Sequence, residues 1–483
     1  MPRRGQHRDC VGVKTPRRAN RAARTMARVG PGLLRRLLVV VSAAVPLVCA
    51  ACAGNVPVAD APTVAVPSDR LVSSALVVPA NLAQAPFDRQ RQVLIPAGWT
   101  MSLWARLPGA RLAVWAPDGS LLVSRPAAGQ VVRFVPGGLA GPGGPAGPTM
   151  SVLLTGLNQP HGLSFSGDAL YVAQSNEVEV YRYTDGVATA PRPLATGLPD
   201  ARSPELRGAY AHALKSVAVA GDGSVYFSIG STGNISVGDR NAVPQRATIM
   251  RIPPGGGPAE VFARGVRNGT GLAIGPDGSV WTAVNGRDDV RYPYDRPFAD
   301  DSESSLGKLL PAYVADHPAE ELARLSPGRD LGWPYCNPEI DVQPGTWGTA
   351  YRYSRAPFVR DIETNAAGDK LDCAALAPVE QTLGAHSAPL GLSFTELPPP
   401  YGAGALVGVH GSWDRVPPRA PEVSFFAWRD GTLGVQQTLV GGFQAPDGSR
   451  WGRPVAAVRG PDGAVYITDD AAGAIYRLAP PGR

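Results

Sequence analysis

Residues 118–124 read DGSLLVS, an Asp-Gly pair followed by an alternating apolar run. The same phrase returns three more times, as DGSVYFS at 222–228, DGSVWTA at 277–283 and DGAVYIT at 462–468. An Asp-Gly pair between alternating runs is a strong hairpin signal, because the tight turn needs a positive φ that glycine adopts readily. The sequence therefore predicts the same antiparallel unit several times over.

The spacing of these units indicates how they assemble. A further copy at 166–183 has Gly-Asp in place of Asp-Gly, and with it Asp118, Asp168, Asp222 and Asp277 are 50, 54 and 55 residues apart. A four-stranded unit that repeats at about 40–50 residues or slightly more is typical of a β-propeller. A tandem sandwich fits less well, since its turn signals recur about every 8–12 residues. We therefore expect an all-β, six-bladed propeller.

Six such blades can be placed, with centres near 112–134, 163–183, 215–235, 270–290, 390–428 and 453–478. The stretch Gln92–Trp104 is expected to complete the last blade from the other end of the chain, which closes the ring and leaves no long edge strand exposed. The propeller then covers 91–483. It contains a long insertion between blades four and five, 291–385, and loops of that length are usually functional or act as lids.

Charge is distributed unevenly along the chain. The formal net charge is +6, but residues 1–52 carry 11 of the 46 Lys and Arg residues and a single acid, Asp9. The remainder has 35 basic and 39 acidic side chains. Nucleic-acid binding needs a clustered basic surface on the folded domain, so the composition argues against a nucleic-acid partner.

The first 52 residues have the pattern of an export signal. Two arginines precede the apolar run Leu37–Val48, which is too short for a spanning helix of about 20 residues. The run leads into CAAC, which resembles a bacterial lipobox and predicts a lipidated Cys52; ordinary cleavage without a lipid is the alternative. Residues 53–90 are then expected to be a flexible tether that holds the domain at the cell surface or in the periplasm.

Export also sets the redox environment. Two cysteines of the mature domain, Cys336 and Cys373, can form a disulfide in an oxidising compartment. Two buried thiols are the alternative. Neither cysteine has a His or Cys at the spacing of a structural zinc site.

Four successive blades open with comparable polar residues. His212 opens the third blade, Arg267 the fourth, His386 the fifth and Arg453 the sixth. Side chains at equivalent positions of successive blades converge on the central channel, so the sequence predicts a site there. The fold alone does not assign an activity, because one fold hosts many functions.

Six phrases resemble the soluble quinoprotein glucose/sorbosone dehydrogenase family and stand in that family's order. They are HALKSVAV (212–219), ARGVRNGTGLA (263–273), AVNGRDD (283–289), LGWPYC (331–336), HGSWDR (410–415) and WGRPV (451–455). The resemblance covers roughly 100–480. It implies a six-bladed propeller that uses pyrroloquinoline quinone (PQQ) and calcium to oxidise a sugar.

The resemblance also implies roles for particular residues. His212 matches the catalytic base, which takes the proton of the substrate hydroxyl as hydride leaves the same carbon for the quinone; an imidazole with an ordinary pKa near 6.5 suits that task. Arg267 and Asn268 match the pair beside the quinone. Arg453 matches a cofactor-binding arginine, and Arg415 is expected to replace the cationic residue that blade five gives the cofactor. Without the motifs, a strand-capping histidine and surface ion pairs would be the simpler interpretation.

Other matches concern the metal and the substrate. Gly286 and Arg287 match positions whose backbone carbonyls hold calcium, a hard cation that takes oxygen ligands. His386 matches a polar contact to the cofactor. Gln159 and His161 open blade two, where the family supplies a substrate-binding Gln.

Together these observations predict an exported PQQ- and calcium-dependent sugar dehydrogenase with an unidentified electron acceptor. Ala211 stands where the glucose enzymes have an acid, so a sorbosone-like sugar or another aldose is the expected substrate. Two alternatives stay open. One is a calcium-dependent lactonase-type hydrolase, which needs a ring of Glu, Asn and Asp around the metal, and the other is a non-enzymatic lipoprotein that binds a polymer or protein.

Overall fold

The Asp-Gly pairs form the turns that the sequence predicts. In the first of them Gly119 has a φ of 78°, and the Asp118 carboxylate accepts a hydrogen bond of 3.0 Å from the backbone N–H of Ser120. The third blade repeats this bond between Ser224 N–H and Asp222 at 2.8 Å. A short acidic side chain thus satisfies a turn N–H while glycine supplies the positive φ. Each turn joins the first two strands of a blade.

The computed structural model describes residues 71–137, 147–412 and 414–482. In chain order, blade one consists of Ala113–Trp115, Leu121–Arg125, Gln130–Val135 and Thr149–Leu154, blade two of Gly162–Ser166, Ala169–Ala173, Val178–Thr184 and Val187–Ala195, and blade three of Val217–Val219, Val225–Ile229, Thr248–Ile252 and Glu260–Arg264. Blade four consists of Gly271–Ile274, Val280–Ala283, Glu320–Leu325 and Val379–Leu383, blade five of Pro389–Leu397, Gly402–Val409, Glu422–Arg429 and Thr432–Val440, and blade six of Pro454–Arg459, Val465–Asp469, Ala474–Ala479 and Thr100–Arg106. The prediction of an all-β, six-bladed propeller is confirmed.

The first strands of the six blades contact one another in order, and the sixth contacts the first. They therefore surround a central channel. Neighbouring blades pack through apolar faces, as where the fully buried Trp281 of blade four meets Phe394 and Trp428 of blade five edge to face. Aromatic pairs in this geometry add about 0.5–1.5 kcal/mol beyond the area they bury, and they fix the angle between blades.

The ring closes within blade six. Thr100–Arg106 pairs antiparallel with Ala474–Ala479, Thr100 lying opposite Ala479. The second half of the predicted stretch Gln92–Trp104 therefore completes the last blade. The first half, Gln92–Pro96, pairs with Leu71–Ala75 instead.

Residues 71–90 are part of the fold, so the predicted tether over 53–90 is wrong for its second half. Leu71–Ala75 forms an antiparallel pair with Gln92–Pro96, and Phe87 is buried against Trp451 and Tyr476. The apolar residues of this segment cover the outer surface of blade six, which composition alone did not indicate. The predicted signal, Cys52 and the first part of the tether lie outside the described residues.

The predicted insertion 291–385 is also wrong as a single excursion. It contains the third and fourth strands of blade four, Glu320–Leu325 and Val379–Leu383, and a short fifth strand, Ser354–Ala356. The sequence EELARL of the third strand places two acids where the repeat has apolar residues. The alternating pattern is therefore hidden, although both acids are buried.

Two segments flank the third strand of blade four, residues 284–319 before it and 326–378 after it, and are called the first and second excursions. They contain the helix Pro311–Val314, the strand pair Cys336–Pro338 and Phe358–Arg360, and Arg329–Asp330, which adds a parallel strand to blade three. The 3₁₀ helices of the described residues are Ala80–Leu82, Pro126–Ala128, Pro204–Leu206, Val237–Asn241 and Cys373–Ala375. No helix in 71–137, 147–412 or 414–482 is long and apolar enough to cross a membrane.

Cys336 and Cys373 form a disulfide across the second excursion. The two residues are 37 positions apart in sequence, and both sulfurs belong to an apolar cluster with Leu331 and Phe358. The predicted pairing is therefore present in the structure. It links the strand pair of the excursion to its 3₁₀ helix.

Replacing both cysteines with serine should lower the free energy of unfolding by about 3–4 kcal/mol, because opening a loop of this length returns conformational entropy to the unfolded chain. Chemical denaturation under oxidising conditions measures the loss. Reductant should destabilise the wild type and leave the double variant unchanged. A variant with the wild-type denaturation midpoint would contradict this account.

Candidate active site

A cavity of about 280 Å³ lies at the end of the channel where the first strands begin. Its walls come from segments that precede first strands, from loops that follow second strands, and from the start of the third strand of blade four. The lining residues are His212, Arg267, Asn285, Asp288, Glu320, His386, Ala388, Gly411, Ser412, Asp414 and Arg453.

The cavity brings together the four residues that the sequence predicts to converge. His212, Arg267, His386 and Arg453 each lie at or a few residues before the first strand of their blade, and all four line the cavity. Equivalent positions of a closed ring point to one axis, which is why a repeat in sequence becomes a cluster in space. Their chemical roles stay predictions.

One ring nitrogen of His212 is hydrogen-bonded to the protein. Its Nδ1 lies 3.1 Å from the carbonyl oxygen of Ser231 and 2.9 Å from Ser231 Oγ. A carbonyl only accepts, so Nδ1 carries the hydrogen and Nε2 is left with a lone pair. His212 lies close to Gly230, where an added Cβ would be 2.6 Å from His212 Cβ. Burial, together with the Arg267 guanidinium, lowers the pKa of His212 to about 3.

The His212 ring should therefore remain neutral at pH 5, where an ordinary histidine with a pKa near 6.5 is mostly protonated. An NMR titration of the cofactor-free protein, assigned by comparison with His212→Asn, measures this. His386 serves as the internal control, because its pKa is raised and it should titrate above the ordinary value. A His212 midpoint near 6.5 would contradict the burial argument.

Arg267 is nearly fully buried and holds two neighbouring loops. Its Nη1 donates to the carbonyl oxygen of Asn285 at 3.1 Å, and its Nη2 donates to Asn234 Oδ1 at 3.0 Å. Nη2 also lies 3.4 Å from Asp288 Oδ2. A planar guanidinium offers five donors in a rigid fork, so one side chain fixes both loops and still presents positive charge to the cavity.

Arg453 supplies the second positive charge. Its Nε donates to the carbonyl oxygen of His410 at 2.9 Å and its Nη2 to that of Gly411 at 3.2 Å. Both acceptors are neutral carbonyls, so no carboxylate hydrogen-bonds to this guanidinium among the described residues. Arg453 can therefore attract an anion without first losing an ion pair.

Asp288, His386 and Asp414 form an acidic cluster beside the arginines. One ligand atom from each lies within 4.8 Å of the others, and His386 Nδ1 is 3.6 Å from Asp288 Oδ1. Burial would raise the pKa of Asp288, but His386 and Arg267 hold it below its ordinary value. His386 Nε2 donates to the carbonyl oxygen of Val314 at 2.6 Å, which leaves Nδ1 facing the carboxylate. This cluster could hold a cation at the cavity wall.

Glu320 is a cavity residue that the sequence did not indicate. Its Oε1 accepts a 3.3 Å hydrogen bond from Gly286 N–H, while its Oε2 is buried without a hydrogen-bond partner among the described residues. Burial raises the pKa of Glu320 to about 7 and that of the adjacent Glu321 to about 8. Near neutral pH Glu321 is therefore mostly protonated and Glu320 about half protonated, and a protonated carboxyl can donate a hydrogen bond.

Gly286 and Arg287, predicted to bind calcium through their carbonyls, do not line the cavity, although Asn285 and Asp288 on either side do. The Arg287 side chain is buried in ion pairs with Asp361 and Glu363. The carboxylates of Asp288 and Asp414 do face the cavity, in a cluster that could hold a cation. Nothing in the local sequence distinguishes them from ordinary turn acids.

Arg415, which the resemblance assigns to the cofactor, is not among the residues that line the cavity, and its role stays a prediction. Its Nη1 is 3.4 Å from Asp316 Oδ1, its Nε donates to the carbonyl oxygen of Pro417, and it lines a separate groove that includes Tyr353 and Glu422. The segment that carries it leaves the channel after Asp414, a change of direction that its motif does not encode.

Three other predicted residues also lie outside the cavity lining. His161 is fully buried with Nδ1 3.3 Å from the carbonyl oxygen of Lys215, and Gln159 accepts a 2.8 Å bond from Ser175 Oγ. Asn268 is 8% exposed, and its carbonyl oxygen accepts from Asn285 N–H at 3.0 Å. Asn268 thus supports a cavity residue through its backbone.

Two solved structures share the fold of this chain. The PQQ domain of a pyranose dehydrogenase from Coprinopsis cinerea, in its holo form, has a TM-score of 0.64 at 19% identity, and the match covers 84% of this chain and 100% of that one. A calcium structure of an AA12 carbohydrate-active enzyme from Trichoderma reesei has a TM-score of 0.62 at 21% identity, covering 80% and 96%. The chain has the fold of these propellers.

The sequence match is more specific. The sequence profile of the TrAA12-like family covers residues 93–480, and the chain belongs to that family. This confirms the kinship with quinoprotein sugar dehydrogenase propellers that the six phrases predict. An uncharacterised protein of Borreliella burgdorferi is 24% identical over 258 residues, and the chain spans about half the length of that relative, 56%.

Proposed function

We propose that this chain is a PQQ- and calcium-dependent dehydrogenase that oxidises an aldose or a sorbosone-like sugar. One observation carries the proposal: a neutral imidazole with a lone pair, two arginines and a cation-binding cluster line the same cavity in a member of the TrAA12-like family. The side chains needed for proton transfer and those needed to bind an anion therefore lie within one small cavity.

The charges of the cavity fit an anionic cofactor together with a cation. Arg267 and Arg453 suit the carboxylates of PQQ, since guanidinium groups bind carboxylates with good geometry. Asp288 and Asp414 would repel the same carboxylates. A calcium ion on those two side chains would offset their charge, and oxygen ligands are the ones calcium prefers. The cavity residues therefore fit PQQ and calcium together better than they fit either one alone.

His212 is the proposed proton acceptor. Bound PQQ would supply the two-electron oxidant that takes hydride from the sugar carbon. Nε2 of His212 would take the proton of the hydroxyl on that carbon, because Nδ1 already donates to Ser231. The low pKa of His212 keeps Nε2 available at neutral pH, although it also makes the ring a weak base.

A calorimetric titration of PQQ, with and without calcium, tests the proposal. PQQ should bind at a ratio near one per chain with micromolar or tighter affinity, and calcium should strengthen binding. The loaded protein should then reduce an artificial electron acceptor when given an aldose. Absence of PQQ binding at micromolar concentrations in the presence of calcium would overturn the proposal.

A second candidate is a calcium-dependent hydrolase of the lactonase type. The cavity contains Asn285, Asp288, Glu320 and Asp414, which is the kind of side-chain ring that such an enzyme needs. The arginines and the family match favour the dehydrogenase. Lactone hydrolysis with calcium alone, in protein that does not bind PQQ, would favour the hydrolase.

We also propose that the domain is exported and anchored through a lipid on Cys52, with an electron acceptor outside the cytoplasm. The support is the sequence pattern of residues 1–52. Mass spectrometry of the membrane-extracted protein should find a diacylglycerol-modified Cys52, and Cys52→Ala should release the protein from the membrane fraction. An unmodified N-terminus in the wild type would refute the anchor.

A further inference from the structure

A second cluster of metal-ligating side chains lies in the two excursions and is separate from the cavity. It consists of His317, Glu339 and Asp341, which are 4%, 3% and 3% exposed. One ligand atom from each lies within 4.8 Å of the others. None of the three lines the cavity, and neither the family resemblance nor the proposed function gives them a task.

The orientation of His317 is fixed by its surroundings. Its Nδ1 lies 3.1 Å from the carbonyl oxygen of Tyr313, and its ring stacks on the Tyr313 ring with centroids 4.1 Å apart. Because a carbonyl only accepts, Nδ1 carries the hydrogen, and Nε2 is the ring nitrogen that faces the two carboxylates. Metal-binding histidines are commonly held in this way, by a backbone carbonyl on the other nitrogen.

The distances within the cluster fit a metal better than a hydrogen bond. His317 Nε2 is 3.5 Å from Glu339 Oε1 and 3.3 Å from Asp341 Oδ1. A charge-assisted hydrogen bond would be about 2.7–2.9 Å. Ligands bound at about 2.0–2.1 Å to a tetrahedral zinc ion are about 3.3 Å apart. Among the described residues, both Nε2 and Asp341 Oδ1 are buried without a hydrogen-bond partner.

Both carboxylates are oriented by hydrogen-bond donors of the surrounding chain. The Tyr294 hydroxyl donates to Glu339 Oε2, and the backbone N–H of Asp341 donates to Glu339 Oε1 at 2.8 Å. Gly345 N–H donates to Asp341 Oδ2 at 3.3 Å. Outer contacts of this kind set the geometry of metal ligands and their affinity.

We infer that His317, Glu339 and Asp341 bind a first-row divalent cation, with Zn²⁺ as the ion that the separations fit. One imidazole and two carboxylates form a donor set for such a metal, whereas calcium and magnesium take oxygen ligands alone. The ion joins the segment after the helix Pro311–Val314 to the segment after the strand Cys336–Pro338. Its role is structural.

Zinc titration of chelator-treated protein, in the presence of excess calcium, tests this inference. We expect one Zn²⁺ per chain by calorimetry and by mass spectrometric metal analysis, and cobalt in its place should give the visible absorption of a tetrahedral site. His317→Gln should remove the ion. Tyr294→Phe, which removes only an outer contact, should weaken affinity about 10–100-fold. Circular dichroism checks that each variant is folded.

Asp414→Asn is the matched control, because it alters the cation-binding cluster at the cavity and leaves the second cluster intact. It should retain the zinc ion. Loss of zinc in this variant but not in His317→Gln would place the ion at the cavity and overturn the inference. Wild-type protein that binds no zinc at micromolar concentrations would also overturn it, and the cluster would then be an imidazolium held by two carboxylates.

Discussion

His212→Asn should lower kcat/KM for sugar oxidation about 10²–10⁴-fold, the usual contribution of a positioned general base. The affinity for PQQ should change by less than a few-fold, because Arg267 and Arg453 carry the charge that attracts it. Asparagine fills part of the imidazole volume and cannot accept a proton. Steady-state kinetics of the PQQ-loaded variant, together with a binding titration, separates the two effects.

His161→Asn is the control for this experiment. His161 is fully buried and lies outside the cavity lining, so its replacement should reduce stability and leave kcat near the wild-type value in protein that remains folded. Equal kcat for His212→Asn and the wild type would show that the imidazole is not the base. It would also favour a binding protein without catalytic activity.

Arg267→Gln should weaken PQQ binding by about 30-fold or more, equivalent to about 2 kcal/mol or more. The substitution removes a buried positive charge and leaves Asp288, 3.4 Å from the lost guanidinium, with His386 as its remaining compensating partner. That carboxylate would then repel an anionic guest. The PQQ affinity of Arg267→Lys should lie between those of Arg267→Gln and the wild type, since lysine keeps the charge but lacks the forked donors of the guanidinium.

Arg415→Gln offers a matched comparison. Sequence motifs assign both arginines to the cofactor, but only Arg267 lines the cavity, and Arg415 pairs with Asp316 in a separate groove. PQQ affinity should stay within about threefold for Arg415→Gln, because surface ion pairs contribute little. Calorimetry at constant calcium measures both variants. If Arg415→Gln lost as much PQQ affinity as Arg267→Gln, the bound PQQ would have to extend into the groove that Arg415 lines.

The ring could be predicted because its signal is local and repeated. Each Asp-Gly turn needs only a glycine φ and a short acidic side chain, and the equivalent placement of His212, Arg267, His386 and Arg453 follows from the closed ring. Blade four departs from this pattern because the acids of EELARL are buried on a strand. A sequence pattern assigns such residues to the surface, so the cavity residue Glu320 was missed.

The acidic part of the site was missed for a different reason. Asp288 and Asp414 lie in loops from different blades, and each resembles an ordinary turn acid in its own segment. Their proximity depends on how the loops of two neighbouring blades meet, which no local pattern records. Arg415 is the converse case, since a recognisable motif ends in a side chain that turns away from the channel.

Pairing of Thr100–Arg106 with Ala474–Ala479 has a consequence for biosynthesis. Blades one to five can each assemble once their own strands have emerged, but the sixth must wait for Ala474–Ala479, which is made long after Thr100–Arg106. Until then, two sheet edges remain available to other chains. Contacts so distant in sequence also slow folding. A nascent molecule is therefore an open arc for most of its synthesis, and a chaperone that shields both edges would improve its yield.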